Sequence, residues 1–185
     1  MTDKITICNA ALGQIGADSI ISFDDNSKNA RRCAGLYEQT RKALLREHPW
    51  SCAIKRIQLA PIVDKPVWEW SNAFPLPRDF VRMIGTDADN FAIENRHILA
   101  NTNVLNIKYV YDNDNEQTWD DLLVEAMTHK LVIKLCKPIT GSSTEADQAR
   151  QDLQLLLKKA RAINGQEYPS QDFGQLPNSL IEARF

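Results

Sequence analysis

Residues 118–140 read TWDDLLVEAMTHKLVIKLCKPIT, and the arrangement of the remaining chain follows from this stretch. Thr118 precedes Asp121 by three residues, which is the spacing of a helix N-terminal capping box. Pro138 is expected to end the helix at about Lys137. Apolar residues nearly surround this predicted helix, which leaves it no broad polar face. We therefore expect it to lie centrally, with other elements packed around it.

Three further helices are predicted around this central one. The first spans about Asp3 to Ile15, with Thr2 as its cap and Gly16 at its end. The second follows the polar turn 24–27 and runs to His48, where Pro49 stops it. The fourth starts after the turn 141–144 and closes at Asn164 and Gly165. These spacings indicate four helices in total.

Between the second and third helices the pattern changes to the alternation of β-strands. Strands are predicted from Trp50 to Leu59 and at 68–70, 91–93, 97–99 and 105–111, with one or two helical turns at 78–84. The predicted fold class is α+β, mainly α. It has a four-helix core, a small antiparallel β insertion at about 50–111 and an extended C-terminal tail. The predicted domains are a single helical domain at 1–165 and the tail at 166–185.

The composition is that of one globular domain. Of the 185 residues, 43% are hydrophobic and 25% are charged, and the formal net charge is -2. These values exclude a disordered chain and lack the basic excess of a dedicated duplex-binding module. No apolar run reaches the length of a membrane span, and the N-terminus lacks the apolar block of a signal peptide. We expect a cytosolic protein with no membrane contact.

The titratable residues form no motif of known catalytic mechanics. The four cysteines contain no C-x-x-C pair, so buried free thiols are favoured over a zinc site. His48 and Cys52 are close enough in sequence for a Cys-His hydrolase to be considered, but structural roles are favoured. The acidic cluster at 112–121 lacks the spacing of a calcium loop. We predict no enzyme activity, no metal and no cofactor.

Three other features of the sequence are compatible with either a packing role or a binding role. The tryptophans, Trp50, Trp68, Trp70 and Trp119, are expected in the core or at a subunit interface rather than stacked on a ligand. Basic residues on the second helix, which we call the basic stripe, are interrupted by glutamates, so they are expected to form a solvated or ion-paired face rather than a DNA contact; they are Arg31, Arg32, Arg41, Lys42 and Arg46. The tail carries unpatterned apolar residues, which indicate a strap across a neighbouring subunit or partner; they are Tyr168, Phe173, Leu176, Leu180, Ile181 and Phe185.

Four short motifs, in their order along the chain, resemble those of one phage family. Residues 9–16 (NAALGQIG) resemble its N-x-x-L-x-x-I-G start, and 29–32 (NARR) follow on the second helix. A tryptophan comes just after that helix at 48–50 (HPW), and 74–80 (FPLPRDF) resemble the family's aromatic-x-L-P-x-D-F corner. The order of elements over 5–165 is similar to that of podovirus tail tubular protein A and prophage head-to-tail adaptor proteins.

The resemblance implies a virion structural protein with no catalytic activity. Its subunits form a ring, commonly of twelve, that docks under the portal protein ring and extends the DNA channel towards the downstream tail (nozzle) protein. DNA is then only cargo, and the protein belongs at the head-tail junction of the virion and in the host cytoplasm during assembly. The alternative is a small DNA-binding or packaging-associated phage protein that uses the basic stripe.

The adaptor reading assigns residues to three contacts. The tail residues 168–185 are expected to bind the portal or a neighbouring subunit. The hairpin of Asn95, Arg96 and His97 is expected to face the next tail component. The ring interface is expected to use mixed charges on the helices, namely Arg31, Arg32, Glu38, Arg41, Glu125 and Lys130.

Overall fold

Helices occupy both ends of the chain and strands occupy its middle. The computed structural model describes residues 2–167, and the side chains up to residue 163. Two short 3-10 helices, Ser51–Ala53 and Glu116–Thr118, flank the strand region. The longer elements are α1 (Lys4–Gln14), α2 (Lys28–Glu47), β1 (Ile54–Leu59), β2 (Asn72–Pro75), β3 (Phe80–Thr86), β4 (Phe91–Glu94), β5 (His97–Ala100), β6 (Leu105–Tyr111), α3 (Asp121–Thr140) and α4 (Thr144–Glu167).

The helices begin at side chains that satisfy their free backbone amides. Asp3 caps α1 by accepting from the amide of Thr6, so the predicted cap, Thr2, was one residue off. Ser27 caps α2, as its place in the predicted turn indicated. The cap of α3 is Asp120, which accepts from the amide of Leu123 at 2.7 Å. Thr118 instead lies in the preceding 3-10 helix.

Helix α3 was predicted to end before Pro138. In the structure it continues through Pro138 to Thr140. Proline removes one amide donor and its ring crowds the carbonyl four residues earlier, but in the last turn these effects fall at the end of the helix and the following residues still close it. Gly141 does this: it adopts φ 75° and donates its amide to the carbonyl of Lys137 at 3.0 Å. The left-handed conformation there suits glycine, because a residue with a Cβ is strained at positive φ even though the space around Gly141 is open.

The helical core surrounds α3, which packs against α1, α2 and α4. This confirms the central position predicted for it. Its buried face includes Leu123, Met127, Leu131 and Leu135, all fully buried. Val110 of β6 belongs to the same apolar cluster, so the strands are joined to the helices through a shared core.

The strands form two antiparallel sheets of three strands each. One has the order β1-β6-β3 and the other β2-β5-β4. A second apolar cluster joins the sheets: Phe74 and Ile98 come from one, and Ile107 and Tyr109 come from the other. The side of the first sheet that carries Val110 faces the helical core, because neighbouring residues of a strand point to opposite faces.

The predicted fold class is therefore wrong. The β part is not a small insertion into a helical domain: it has six strands, two sheets and an apolar core of its own. A single meander would pair each strand with its neighbours in sequence. Here β6 pairs with β1 and β3, while the hairpin of β4 and β5 pairs with β2.

Two local predictions in this region are also wrong. Residues 78–84 were expected to be helical, but they belong largely to β3, whose pairing with β6 has two register shifts. These irregularities break the alternation by which a strand is recognised in sequence. Residues 68–70 were expected to form a strand, but Glu69 has φ 67° and turns the chain there. The strands predicted at 91–93, 97–99 and 105–111 are confirmed.

α4 extends two residues beyond its predicted end at Gly165 and reaches Glu167. The predicted tail therefore begins inside this helix. Its proposed binding residues, Tyr168, Phe173, Leu176, Leu180, Ile181 and Phe185, lie outside the described residues. Among the helices that the structure describes, none is both long and apolar enough to cross a lipid bilayer.

Candidate interaction surfaces

The opening motif, NAALGQIG, holds the loop after α1 in place. The side-chain amide of Asn9 donates to the carbonyl of Ile20 and accepts from its backbone amide, both at 2.8 Å. Gly16 has φ 66°, which lets the chain turn out of the helix. Asn29 of the second motif donates to the carbonyl of Asp18 in the same loop at 3.1 Å. These residues are used to shape the fold.

The corner motif, FPLPRDF, leads from β2 in one sheet to β3 in the other and contacts β1 and β6 through Asp79. The carboxylate of Asp79 accepts from Nζ of Lys55 at 2.7 Å and from the hydroxyl of Tyr109 at 3.0 Å. Its backbone carbonyl accepts from the amide of Asp112 at 2.7 Å. Burial, and then the bond to Asp79, raise the pKa of Tyr109 to about 12. The ring of Phe80 stacks on Tyr109, with the centroids 5.6 Å apart.

One predicted ring-interface residue, Arg41, is buried within the subunit. Its Nε and Nη2 donate to the two carboxylate oxygens of Asp112 at 2.8 and 3.0 Å. The residue is only 4% exposed. A guanidinium in this position joins α2 to the chain after β6 and does not reach a neighbouring subunit. Because Arg41 is buried, it is also excluded from the basic stripe of α2 as a possible DNA contact.

The other five predicted interface residues lie at the surface, although not all are unpaired. Arg31, Glu38 and Glu125 are exposed, while Arg32 and Lys130 are half-buried. Lys130 pairs with Glu47 of α2. The surface of the helices therefore retains both signs of charge, and its use in a ring contact stays a prediction.

Glu125 lies at a cleft between α3 and α4 of about 350 Å³. Its carboxylate is 3.8 Å from Nε2 of His129, whose Nδ1 is buried with no hydrogen-bond partner. Leu155, 64% exposed, contributes an apolar wall to the same cleft. This combination of an exposed leucine and mixed charges makes the cleft the best-formed part of the predicted ring interface.

The predicted hairpin tip forms the turn between β4 and β5. Asn95 and Arg96 have φ 42° and 59°, which is the backbone of a two-residue hairpin turn of the mirror-image kind. The guanidinium of Arg96 donates to the carbonyl of Pro77 at 2.9 Å. The backbone carbonyl of Arg96 accepts from the amide of Leu76. The tip is thus fastened to the corner motif. Nδ1 of His97 lies 2.8 Å from the carbonyl of Asn95.

A basic cleft of about 370 Å³ lies between α2 and the corner motif. Four of its lining side chains are cationic: Lys42, Arg46, Arg78 and Arg96. Its two carboxylates, Asp79 and Asp112, pair with Lys55 and Arg41, which do not line the cleft, and Asp112 also lies 3.5 Å from Nζ of Lys42. The cleft therefore has an excess of positive charge. Sequence reasoning missed it, because its cations come from three separate segments.

A second cavity, which we call the aromatic cavity, has a volume of about 430 Å³ and lies beside the hairpin. Trp68 and Trp70 line it together with Asp64, Lys65, Glu69, Glu94, Asn95 and His97. Trp50 and Trp119 lie in the core, since they are 2% and 8% exposed. Trp68 is 77% exposed and lies outside the core of this subunit, so for it the subunit interface stays a prediction. The prolines and acidic residues around Trp68 were the available signal of a surface loop.

The proposed Cys-His pair has no support from electrostatics. Burial raises the pKa of the Cys52 thiol, whereas a nucleophilic thiol requires a lowered pKa. Burial, followed by the charges of Arg161 and Arg82, lowers the pKa of His48. Among the side chains of residues 2–163, no three from His, Cys, Asp or Glu are grouped as metal ligands.

Comparison with known proteins does not place the chain in a family. No protein-family model matches it, and no curated protein matches it either. The resemblance to head-to-tail adaptors therefore remains a prediction, based on the four motifs.

Proposed function

We propose that this chain is the subunit of a phage head-to-tail adaptor that works by assembly and not by chemistry. In this proposal the subunits form a ring, of twelve in the virion, under the portal protein ring. The ring extends the DNA channel to the downstream tail protein, with DNA only as cargo. The protein acts at the head-tail junction and is made in the host cytoplasm.

The observation that carries the proposal is that the motif residues form hydrogen bonds that stabilise this fold. Asn9, Asn29 and Asp79 each make contacts that position a loop or a corner of this fold. Residues with such contacts stabilise a particular fold. A shared fold is what we expect of proteins that assemble in the same way. The tail residues Tyr168 to Phe185 remain the proposed portal or subunit contact. The hairpin 95–97 remains the proposed contact with the next tail component.

Light scattering tests the proposal without an assumed substrate. The mass is measured for the protein alone and after mixing with the cognate portal ring. The proposal expects a stoichiometric addition to the portal, whether the free protein is a monomer or a small oligomer. Failure to bind the portal at high concentration would contradict it.

Truncation at Glu167 separates the tail contact from folding. Because α4 extends to Glu167, removing 168–185 leaves every described element intact. We expect a folded protein, judged by circular dichroism, that no longer binds the portal. A truncated protein that binds normally would contradict the role given to the tail.

Glu125→Arg, at the cleft between α3 and α4, is expected to weaken ring formation while leaving the monomer folded.

The basic cleft favours a second candidate, a DNA-binding or packaging-associated protein. Its cations would contact phosphates, and binding would then weaken steeply as salt is added. Arg78→Gln should reduce both the affinity for duplex DNA and the slope of its salt dependence by about one phosphate contact. Arg150→Gln, at an exposed position of α4 that does not line the cleft, is the matched control. No duplex binding at micromolar protein and low salt would eliminate this candidate.

A further inference from the structure

The aromatic cavity coincides with the backbone strain of the β region. Within residues 2–167 the non-glycine residues with positive φ are Glu69, Asn95 and Arg96. Glu69 and Asn95 line the cavity, and Arg96 completes the same hairpin turn. Such conformations are unfavourable for residues with a side chain, and they often occur where a binding surface needs them. Two separate turns therefore converge on one cavity.

The turn at Glu69 determines how the tryptophans are presented. The amide of Trp70 donates to the carbonyl of Trp68 at 2.8 Å, which closes a three-residue turn across Glu69. Trp68 on one side of the turn is 77% exposed, and Val67 beside it is fully exposed. Because burial of an indole is favourable, an exposed tryptophan held at a cavity is typical of a binding site.

The charges around the cavity select the sign of its ligand. Three carboxylates, on Asp64, Glu69 and Glu94, line it with a single lysine, Lys65. None of the three carboxylates forms an ion pair with a side chain of residues 2–163. The faces of Trp68 and Trp70 add negative potential, since the π electrons of an indole attract cations. Acidic peptides and nucleic acid are therefore repelled here, and a cation is attracted.

We propose that the aromatic cavity binds an arginine side chain presented by a partner protein. A planar guanidinium stacks on an indole and also forms paired hydrogen bonds with a carboxylate, which the round ammonium of lysine does not do. The cavity offers both kinds of group within one turn, at Trp68 and Glu69. The proposal concerns the chemistry of the partner and goes beyond the adaptor function, on which it does not depend.

Nuclear magnetic resonance of the full chain tests the proposal directly. The probe is N-acetyl-arginine N-methylamide, and the indole N–H signals are assigned by single Trp→Phe variants. We expect saturable shifts for Trp68 and Trp70, with a dissociation constant in the millimolar range. The buried Trp50 and Trp119 report on the rest of the molecule and should not move. The citrulline analogue has the same shape without the charge and should give no saturable shift.

Two variants define the contribution of each kind of group. Trp68→Ala should weaken arginine binding about fivefold or more, and the triple change Asp64→Asn, Glu69→Gln and Glu94→Gln should abolish it. Val63→Ala alters an exposed apolar residue of the same loop that does not line the cavity, and should have no effect. Equal shifts with the citrulline or lysine analogue would overturn the proposal. Unchanged affinity in Trp68→Ala, with the Trp50 and Trp119 signals intact, would also overturn it.

Discussion

Removal of the Asp112 carboxylate should destabilise the protein more than any surface substitution. Asp112 follows β6 and forms a two-pronged ion pair with Arg41 of α2, across 71 residues of sequence. The Arg41 side chain is only 5% exposed, and its Nη1 is already buried with no hydrogen-bond partner. In Asp112→Ala the guanidinium would therefore keep its charge in a place that water scarcely reaches.

The magnitude follows from the cost of leaving a buried charge unpaired. Loss of one partner of a buried ion pair lowers the free energy of unfolding by about 3–5 kcal/mol. Arg41→Met should cost less, because the remaining Asp112 is 17% exposed and has Nζ of Lys42 at 3.5 Å. The double variant Arg41→Met with Asp112→Leu should recover much of the loss, since an apolar pair of similar volume avoids the desolvation of both charges.

Urea unfolding, followed by circular dichroism and tryptophan fluorescence, measures these differences. Coincidence of the two signals establishes whether one free energy describes the transition. Lys55→Met is the control, because Lys55 and Asp79 form a pair whose side chains are 44% and 33% exposed. Exposed pairs contribute about 1 kcal/mol or less. If Asp112→Ala proved no more costly than Lys55→Met, the assignment of a buried, stabilising pair would be refuted.

Three further outcomes are expected. Asn9→Ala removes both hydrogen bonds to Ile20 and should lower the free energy of unfolding by about 1–3 kcal/mol in urea, whereas Asn9→Asp, which keeps the acceptor, should lower it less. Burial, and then the charge of Arg161, lower the pKa of His48 from 6.5, so the unfolded state binds more protons near that pH. Stability measured against pH should be highest above about 6.5 and should fall as the pH drops towards the lower folded pKa; a His48→Gln variant with the same pH profile would contradict this. Burial raises the pKa of Cys52, so an aromatic disulfide reagent at neutral pH should modify its thiol more slowly than free cysteine; faster reaction would restore the Cys-His alternative.

The candidate surfaces were only partly predictable from sequence. The hairpin 95–97 was found, because its turn and flanking strands are local. Arg41 was assigned to a subunit interface, since a basic residue on an amphipathic helix gives no sign that its partner lies 71 residues away. Trp68 was expected in the core or at a subunit interface, and the structure places it at the surface of the subunit, beside the turn at Glu69. The basic cleft and the aromatic cavity each combine segments that are distant in the chain.

The sequence by itself determined the elements whose causes lie within a few residues. Ser27 and Gly16 mark helix ends because caps act on amides and carbonyls within one turn. The apolar pattern of α3 alone predicted its central position. Only the tertiary structure decided that residues 80–86 are a strand and that the strands divide into two sheets. Those outcomes depend on pairing with β6 and on the apolar cluster that contains Phe74 of one sheet and Tyr109 of the other, and no local pattern records either.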